Sequence, residues 1–298
     1  MSEKLLVFSL SMTKLHSFNK SITNTGTTYM LVSLLLLCIQ TVKSQPHISG
    51  SITDEAGQGI PYVRLGIIGT SLQTMSDEQG RFSLQLPISA YSKDISFEAP
   101  GYQTRTIPAK DLRKYEETVV LKESVIRLKD VEVVNSRKVK KKVLGNRGLV
   151  SGYRRKSVNT QYLIAVNKKK SRPAFVSKIW IHVNQPEETQ FTLRPLIYSA
   201  DQSTGQPLQN LVDQNMIFKF TQSKGWVCLD LGALMSDVPD GKFFVGVEWI
   251  GNQNTQNQSS ISLLLGGSAD SYESTQLGKW KLIKGQGAFG IKTQLQYY

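Results

Sequence analysis

The stretch "SDEQGRFSLQLP", residues 76–87, decides the fold. Acidic residues lead into Gly80, Arg81 follows, and Phe82, Leu84 and Leu86 then alternate with Ser83 and Gln85. A period of two sends the three apolar side chains to one face and Arg81, Ser83 and Gln85 to the other. Asp77 is placed to accept backbone N–H bonds within a turn, and Gly80 to take the positive φ that closes it. The stretch therefore reads as a turn entering a half-buried strand. A calcium site on Asp77 and Glu78 is the competing reading, but no regular spacing of oxygen ligands follows them.

The same pattern repeats on either side. Alternating runs near 48–53, 62–67, 73–75, 81–86, 94–98, 103–107 and 117–121 predict seven strands, with one helical turn at "AKDLRKY". "DEAGQGIP" and "APGY" supply turn residues between them. The stretch "GSITDEAGQGIPYVRLGIIGTSLQTMSDEQGRFSLQL" then resembles the carboxypeptidase regulatory-like domain. Gly50 through Asp54, Ile60 through Leu65, Gly69-Thr70 and Ser76 through Leu84 carry the likeness in order, and "APGYQTRTI" continues it. The resemblance implies a seven-stranded transthyretin-like sandwich without peptidase chemistry of its own.

Residues 29–39, "YMLVSLLLLCI", are apolar but short for a membrane span. Lys14, His16 and Lys20 precede them and "VKSQ" follows, the order of a secretory signal with cleavage after Ser44. Cys38 follows Leu35, Leu36 and Leu37, where a lipidated cysteine needs a small residue before it. Cleavage would leave Cys228 as the one cysteine, so no internal disulfide is expected and stability must rest on core burial. The expected organisation is a signal over 1–44, the regulatory-like domain over 45–122, a basic linker over 123–158 and a second β unit over 159–298. The expected location is outside the cytoplasm: periplasmic, outer-membrane-associated or extracellular.

The second unit predicts nine strands, near 161–167, 175–184, 190–199, 215–221, 225–231, 243–250, 260–265, 279–284 and 289–298. No helical pattern separates them, which points to a jelly-roll-like sandwich. The fold class is therefore all-β. In "SKIWIHV", Ile179, Ile181 and Val183 share one face while Lys178, Trp180 and His182 share the other. The runs "KIWIHV", "GWVCLDL", "FFVGVEWIG" and "GAFGIKTQLQYY" are similar to the C-terminal region of exported Gram-negative envelope proteins that begin with a regulatory-like domain. That region has no assigned activity.

The net charge of +13 is concentrated. Residues 127–178 hold sixteen Lys or Arg against Asp130 and Glu132, a balance of +14, and the rest of the chain sums to −1. Lys138, Lys140, Lys141, Lys142, Arg154, Arg155 and Lys156 are the candidate contacts within it. They read as an extended, self-repelling linker. They also suit phosphates on lipopolysaccharide or acidic lipid, a peripheral membrane contact, at roughly 1 kcal/mol per charge. Export sets nucleic acid aside as a partner.

No catalytic constellation emerges from the pattern. His47 and His182 belong to no zinc motif, and neither a G-x-S-x-G elbow nor a P-loop occurs. No metal site and no cofactor are expected. Glu187-Glu188 reads as a solvated loop pair. Trp180, Trp226, Trp249 and Trp280 lie in or beside strands; at least two are expected in the core. The leading expectation is a non-catalytic binding or structural protein of the envelope that docks to a protein or a surface. The alternative is a carbohydrate-binding module on Trp180 with Lys178 and His182. A hydrolase using Asp230 and Glu248 is the third, and it requires the two acids to share a cleft.

Overall fold

The computed structural model describes residues 47–112, 118–124, 140–155, 159–169, 172–184, 190–222, 224–232, 237–250, 260–265, 267, 269–283 and 287–297. The signal segment and its cleavage position, Cys38, Glu187-Glu188, Lys138 and Lys156 lie outside the described residues.

The first seven strands are β1 (His47–Thr53), β2 (Arg64–Ile67), β3 (Gln73–Met75), β4 (Arg81–Gln85), β5 (Asp94–Glu98), β6 (Arg105–Pro108) and β7 (Thr118–Val120). A 3-10 turn, Ile88–Ala90, precedes β5, and a helical turn, Ala109–Leu112, follows β6 at the expected place. One sheet runs β4-β1-β7, the other β3-β2-β5-β6. All pairs are antiparallel except β1 with β7. Phe82, Leu84 and Leu86 are buried, and Phe82 meets Phe97 of the facing sheet edge to face at 5.9 Å. Each such side chain contributes roughly 1.5–3 kcal/mol on burial.

The turn before β4 is built as its sequence demands. One Asp77 carboxylate oxygen accepts the N–H groups of Gln79 and Arg81 at 2.9 and 2.8 Å; the other accepts Arg81 Nε at 2.9 Å. Burial pushes the Asp77 carboxyl up, but the backbone and side-chain bonds from Arg81 outweigh it and hold the group low. Gly80 has φ +80°, and a Cβ there would stand 2.4 Å from the Ile52 carbonyl oxygen. Backbone geometry and steric room both require glycine at this position.

Fourteen strands follow among the described residues. They are β8 (Lys140–Gly145), β9 (Val150–Arg155), β10 (Thr160–Lys168), β11 (Ala174–Asn184), β12 (Gln190–Ala200), β13 (Pro207–Asn210), β14 (Phe218–Thr221), β15 (Lys224–Asp230), β16 (Gly241–Ile250), β17 (Ser260–Leu264), β18 (Ser271–Gln276), β19 (Lys279–Ile283), β20 (Ala288–Phe289) and β21 (Ile291–Tyr297). One seven-stranded sheet runs β13-β12-β16-β10-β18-β19 with β14 also on β12. The other runs β20-β17-β11-β21-β8, with β15 on β11 and β9 on β17. Their facing sides share one core, in which Tyr162, Val245 and Trp249 of the first sheet pack with Ile179, Ile181 and Phe289 of the second.

Two sequence expectations change. The basic stretch assigned to a linker over 123–158 contains β8 and β9, so residues 140–155 belong to the second sandwich. Lys140, Lys141, Lys142, Arg154 and Arg155 are therefore carried on strands. Lysines conceal these strands: Lys140, Lys141 and Lys142 stand exposed on β8, the outermost strand of its sheet. Charge on an edge strand discourages pairing with another chain. The second unit also gains β13 and β18 beyond the nine expected strands, and its last predicted strand divides into β20 and β21 at Gly290.

The first sheet of the second sandwich is covered on both faces. Its outer side buries Leu163, Leu196, Phe244 and Tyr272 as a separate cluster. The regulatory-like sandwich docks against this outer side, and residues 46–298 form one compact unit.

Candidate functional site

The docking is polar and reads main chain. Arg194 donates to the Tyr62 carbonyl at 2.5 Å, Asn215 to the Pro61 carbonyl at 2.8 Å, and Gln73 to the Thr275 carbonyl at 2.5 Å. Glu78 accepts from Lys219 and from the Tyr62 hydroxyl, each at 2.7 Å. Tyr62 holds φ +56°, an uncommon value for a residue with a side chain, at the point where these contacts converge.

At the centre lies a buried charge cluster. Arg194 on β12 and Glu248 on β16 are both 1% exposed and meet at 2.7 Å. Arg64 of β2, itself 3% exposed, comes within 3.9 Å of Glu248 from the other sandwich. Gln161 of β10 donates to Glu248 at 3.3 Å. Burial presses the Arg194 guanidinium below its usual range, and the Glu248 carboxylate opposes that. Arg194, Glu248 and Gln161 sit opposite one another across β12, β16 and β10 and point outward from the sheet, as their registers require.

Beside the cluster a cavity of about 620 Å³ opens between the sandwiches. Arg64, Glu98, Gln161 and Glu248 are on its polar side, and Tyr198 and Trp280 form an aromatic side. Burial raises the Glu98 carboxyl above its usual range, against the lowering effect of Arg64 and a 3.1 Å bond from Ser96. A carboxyl raised in the folded state contributes stability that is full below its unfolded value, near 4.3. That contribution is lost as pH rises through the higher folded value. Replacing Glu98 with glutamine is therefore expected to raise the melting temperature more at pH 7 than at pH 4. Paired thermal melts of parent and variant at the two pH values check this; an equal or opposite effect contradicts it.

The residues proposed from sequence occupy other surfaces. Lys178, Trp180 and His182 do share the outer face of β11, half-exposed, while Ile179, Ile181 and Val183 are buried. Trp226 and Lys292 join them from β15 and β21. The Lys292 ammonium lies 4.1 Å from the Trp226 ring centre and 5.4 Å from that of Trp180. His182 bonds Ser262 at 2.8 Å, and burial together with Lys292 lowers its pKa. Lys178 pairs with Asp230 at 2.7 Å. Cys228 is free and half-buried opposite Trp180. Of the four tryptophans, Trp249 alone is fully buried; Trp280 packs beside the outer-face cluster.

The basic candidates divide. Lys140, Lys141 and Lys142 are exposed. Arg154, partly exposed, makes a two-pronged pair with Glu273, at 2.6 and 3.2 Å, joining β9 of one sheet to β18 of the other. That partner is distant in sequence, which hid the pairing. Arg155 is described in its backbone alone, as part of β9. Asp230 and Glu248, the acids considered for hydrolysis, lie on different sheets, each with its own cationic partner, and share no cleft. Among the described residues no group of three or more His, Cys, Asp or Glu is placed to hold a metal ion.

Of the cleft residues, Glu248 was considered only as a hydrolase acid and Trp280 only among the four tryptophans; Arg64, Glu98, Gln161 and Arg194 were not singled out from sequence, although a signal existed for Arg194. In "TQFTLRPLIYS", Arg194 alternates in step with Leu196 and Tyr198, on the face opposite Leu193 and Ile197. Apolar residues in phase with a charge indicate a face that is covered.

Comparison with solved structures finds a likeness to the cysteine protease and lectin-like domains of Cwp84, a surface layer associated protein of Clostridium difficile. The identity is 13% and the TM-score 0.33, over 47% of this chain and 32% of that one. The chain thus spans about a third of that protein's length. No curated protein matches the sequence. In the N-terminal part, residues 48–133 match the CarboxypepD_reg-like domain family, a likeness with which the seven strands and the Asp77–Gly80 turn agree.

Proposed function

We propose that the protein is an exported, non-catalytic binding module of the cell envelope, held to a phosphate-bearing membrane surface by its basic edge. The observation that supports this is the run Lys140, Lys141 and Lys142, exposed together on the outermost strand of a sheet. Three long cationic side chains on a rigid edge reach a negatively charged surface without a pocket. At roughly 1 kcal/mol for each charge, the three supply about a hundredfold in affinity. The paired ionic groups of the cleft fit a module that binds rather than reacts, since Arg194 and Glu248 are committed to each other.

The test is co-sedimentation of the full chain with vesicles containing lipopolysaccharide or phosphatidylglycerol, against zwitterionic vesicles. Binding is expected to the anionic vesicles alone, to weaken with added salt, and to fall about a hundredfold in K140Q/K141Q/K142Q. Equal binding of the triple variant would remove the membrane-surface reading. Carbohydrate binding at Trp180 is less well supported, because Lys292 lies over the indole rings that a sugar would need.

A further inference from the structure

The cavity between the sandwiches has the makeup of a ligand site, and its composition narrows the ligand. Its volume of about 620 Å³ falls in the range of small-molecule sites, roughly 300–1,000 Å³. Exposed Gln103, Thr104 and Leu208 surround its mouth, so the interior is reachable from solvent. Tyr198 and Trp280 stand edge to face, 5.3 Å apart at 74°, and give one side an aromatic surface. Among the described residues no lysine ammonium lies over the Trp280 ring, in contrast to Trp180 and Trp226.

The polar side carries ionisable groups of both signs. Two guanidinium groups, Arg64 and Arg194, are set among two carboxyls, Glu98 and Glu248. A charged ligand would leave one sign uncompensated in a partly dry site. An apolar ligand would offer the polar side no hydrogen-bond partner. A hydroxyl group both donates and accepts, so it serves guanidinium, carboxyl and amide alike. The C–H faces of a sugar ring cover an aromatic surface in turn.

We propose that the cleft between the two sandwiches binds a short neutral saccharide, stacked on Trp280 and held through its hydroxyls by Arg64, Glu98 and Gln161. The inference rests on the binding-module reading but not on the basic edge. It places recognition at a site that exists only while the two sandwiches are docked.

The test is a glycan array carrying neutral and acidic glycans, followed by calorimetric titration of the full chain with the strongest neutral binder. Trp280→Ala is expected to weaken binding about tenfold or more. Leu208→Arg, placed on the exposed rim where folding does not depend on it, is expected to do the same by obstructing the mouth. Trp180→Ala is expected to leave the affinity unchanged. An array without neutral binders, a preference for acidic glycans, or loss in Trp180→Ala with Trp280→Ala unaffected would each overturn the proposal. Anionic vesicle binding retained alongside a blank array removes the saccharide site and leaves the membrane reading standing. Neutral glycan binding without vesicle binding does the reverse.

Discussion

Arg194→Ala is expected to cost about 3–5 kcal/mol, the usual penalty for leaving one member of a buried ion pair without its partner. Glu248, 1% exposed in the parent, would lose its 2.7 Å partner and keep, of its cationic contacts, only the longer one from Arg64 at 3.9 Å. The substitution also removes the donor to the Tyr62 carbonyl, so the damage extends from a strand pair to the contact between sandwiches. Urea unfolding followed by tryptophan fluorescence measures both consequences. The parent should unfold in one transition and the variant in two, because the sandwiches lose their coupling. A loss below about 1 kcal/mol with a single transition would show that the pair holds nothing together. The double replacement Arg194→Met with Glu248→Leu should recover most of the loss, since exchanging a buried pair for apolar groups is often close to neutral.

The second large effect belongs to Trp249. Its indole is fully buried between the sheets and stacks on Phe191 at 5.1 Å, which in turn stacks on Phe220 at 5.6 Å. Trp249→Ala is expected to lose about 3–5 kcal/mol, combining lost transfer energy with the cavity left behind. Fluorescence is unsuited to a variant lacking that tryptophan, so circular dichroism during urea titration is the measurement. A shift of the midpoint with an unchanged slope is expected. A loss under about 1 kcal/mol would mean that the core refills the space.

The difference between these two positions explains what the sequence could reveal. Trp249 and its neighbours are legible because burial in a sheet leaves a period of two, and "FFVGVEWIG" displays it. The regulatory-like domain is legible for the same reason, with Asp77 and Gly80 adding turn chemistry that acts within five residues. The cleft depends on partners far apart in the chain: Arg64 with Glu248, Gln73 with Thr275, Arg194 with Tyr62. No local pattern encodes such meetings. Lys140–Lys142 misled in a related way. A lysine run on an edge strand and one in a solvated connector have the same composition, and only pairing of β8 with β21 separates them.

The contact between the sandwiches has a consequence for how the protein can drift. At Pro61, Tyr62 and Thr275 the acceptor is a peptide oxygen, present whatever side chain the position carries. Pro61 and Thr275 are therefore open to mutational turnover so long as the chain keeps its path, whereas Tyr62 also donates its hydroxyl to Glu78. Arg194, Asn215 and Gln73, which supply the donors, carry genetic constraint on that seam, together with the Lys219–Glu78 and Arg64–Glu248 pairs.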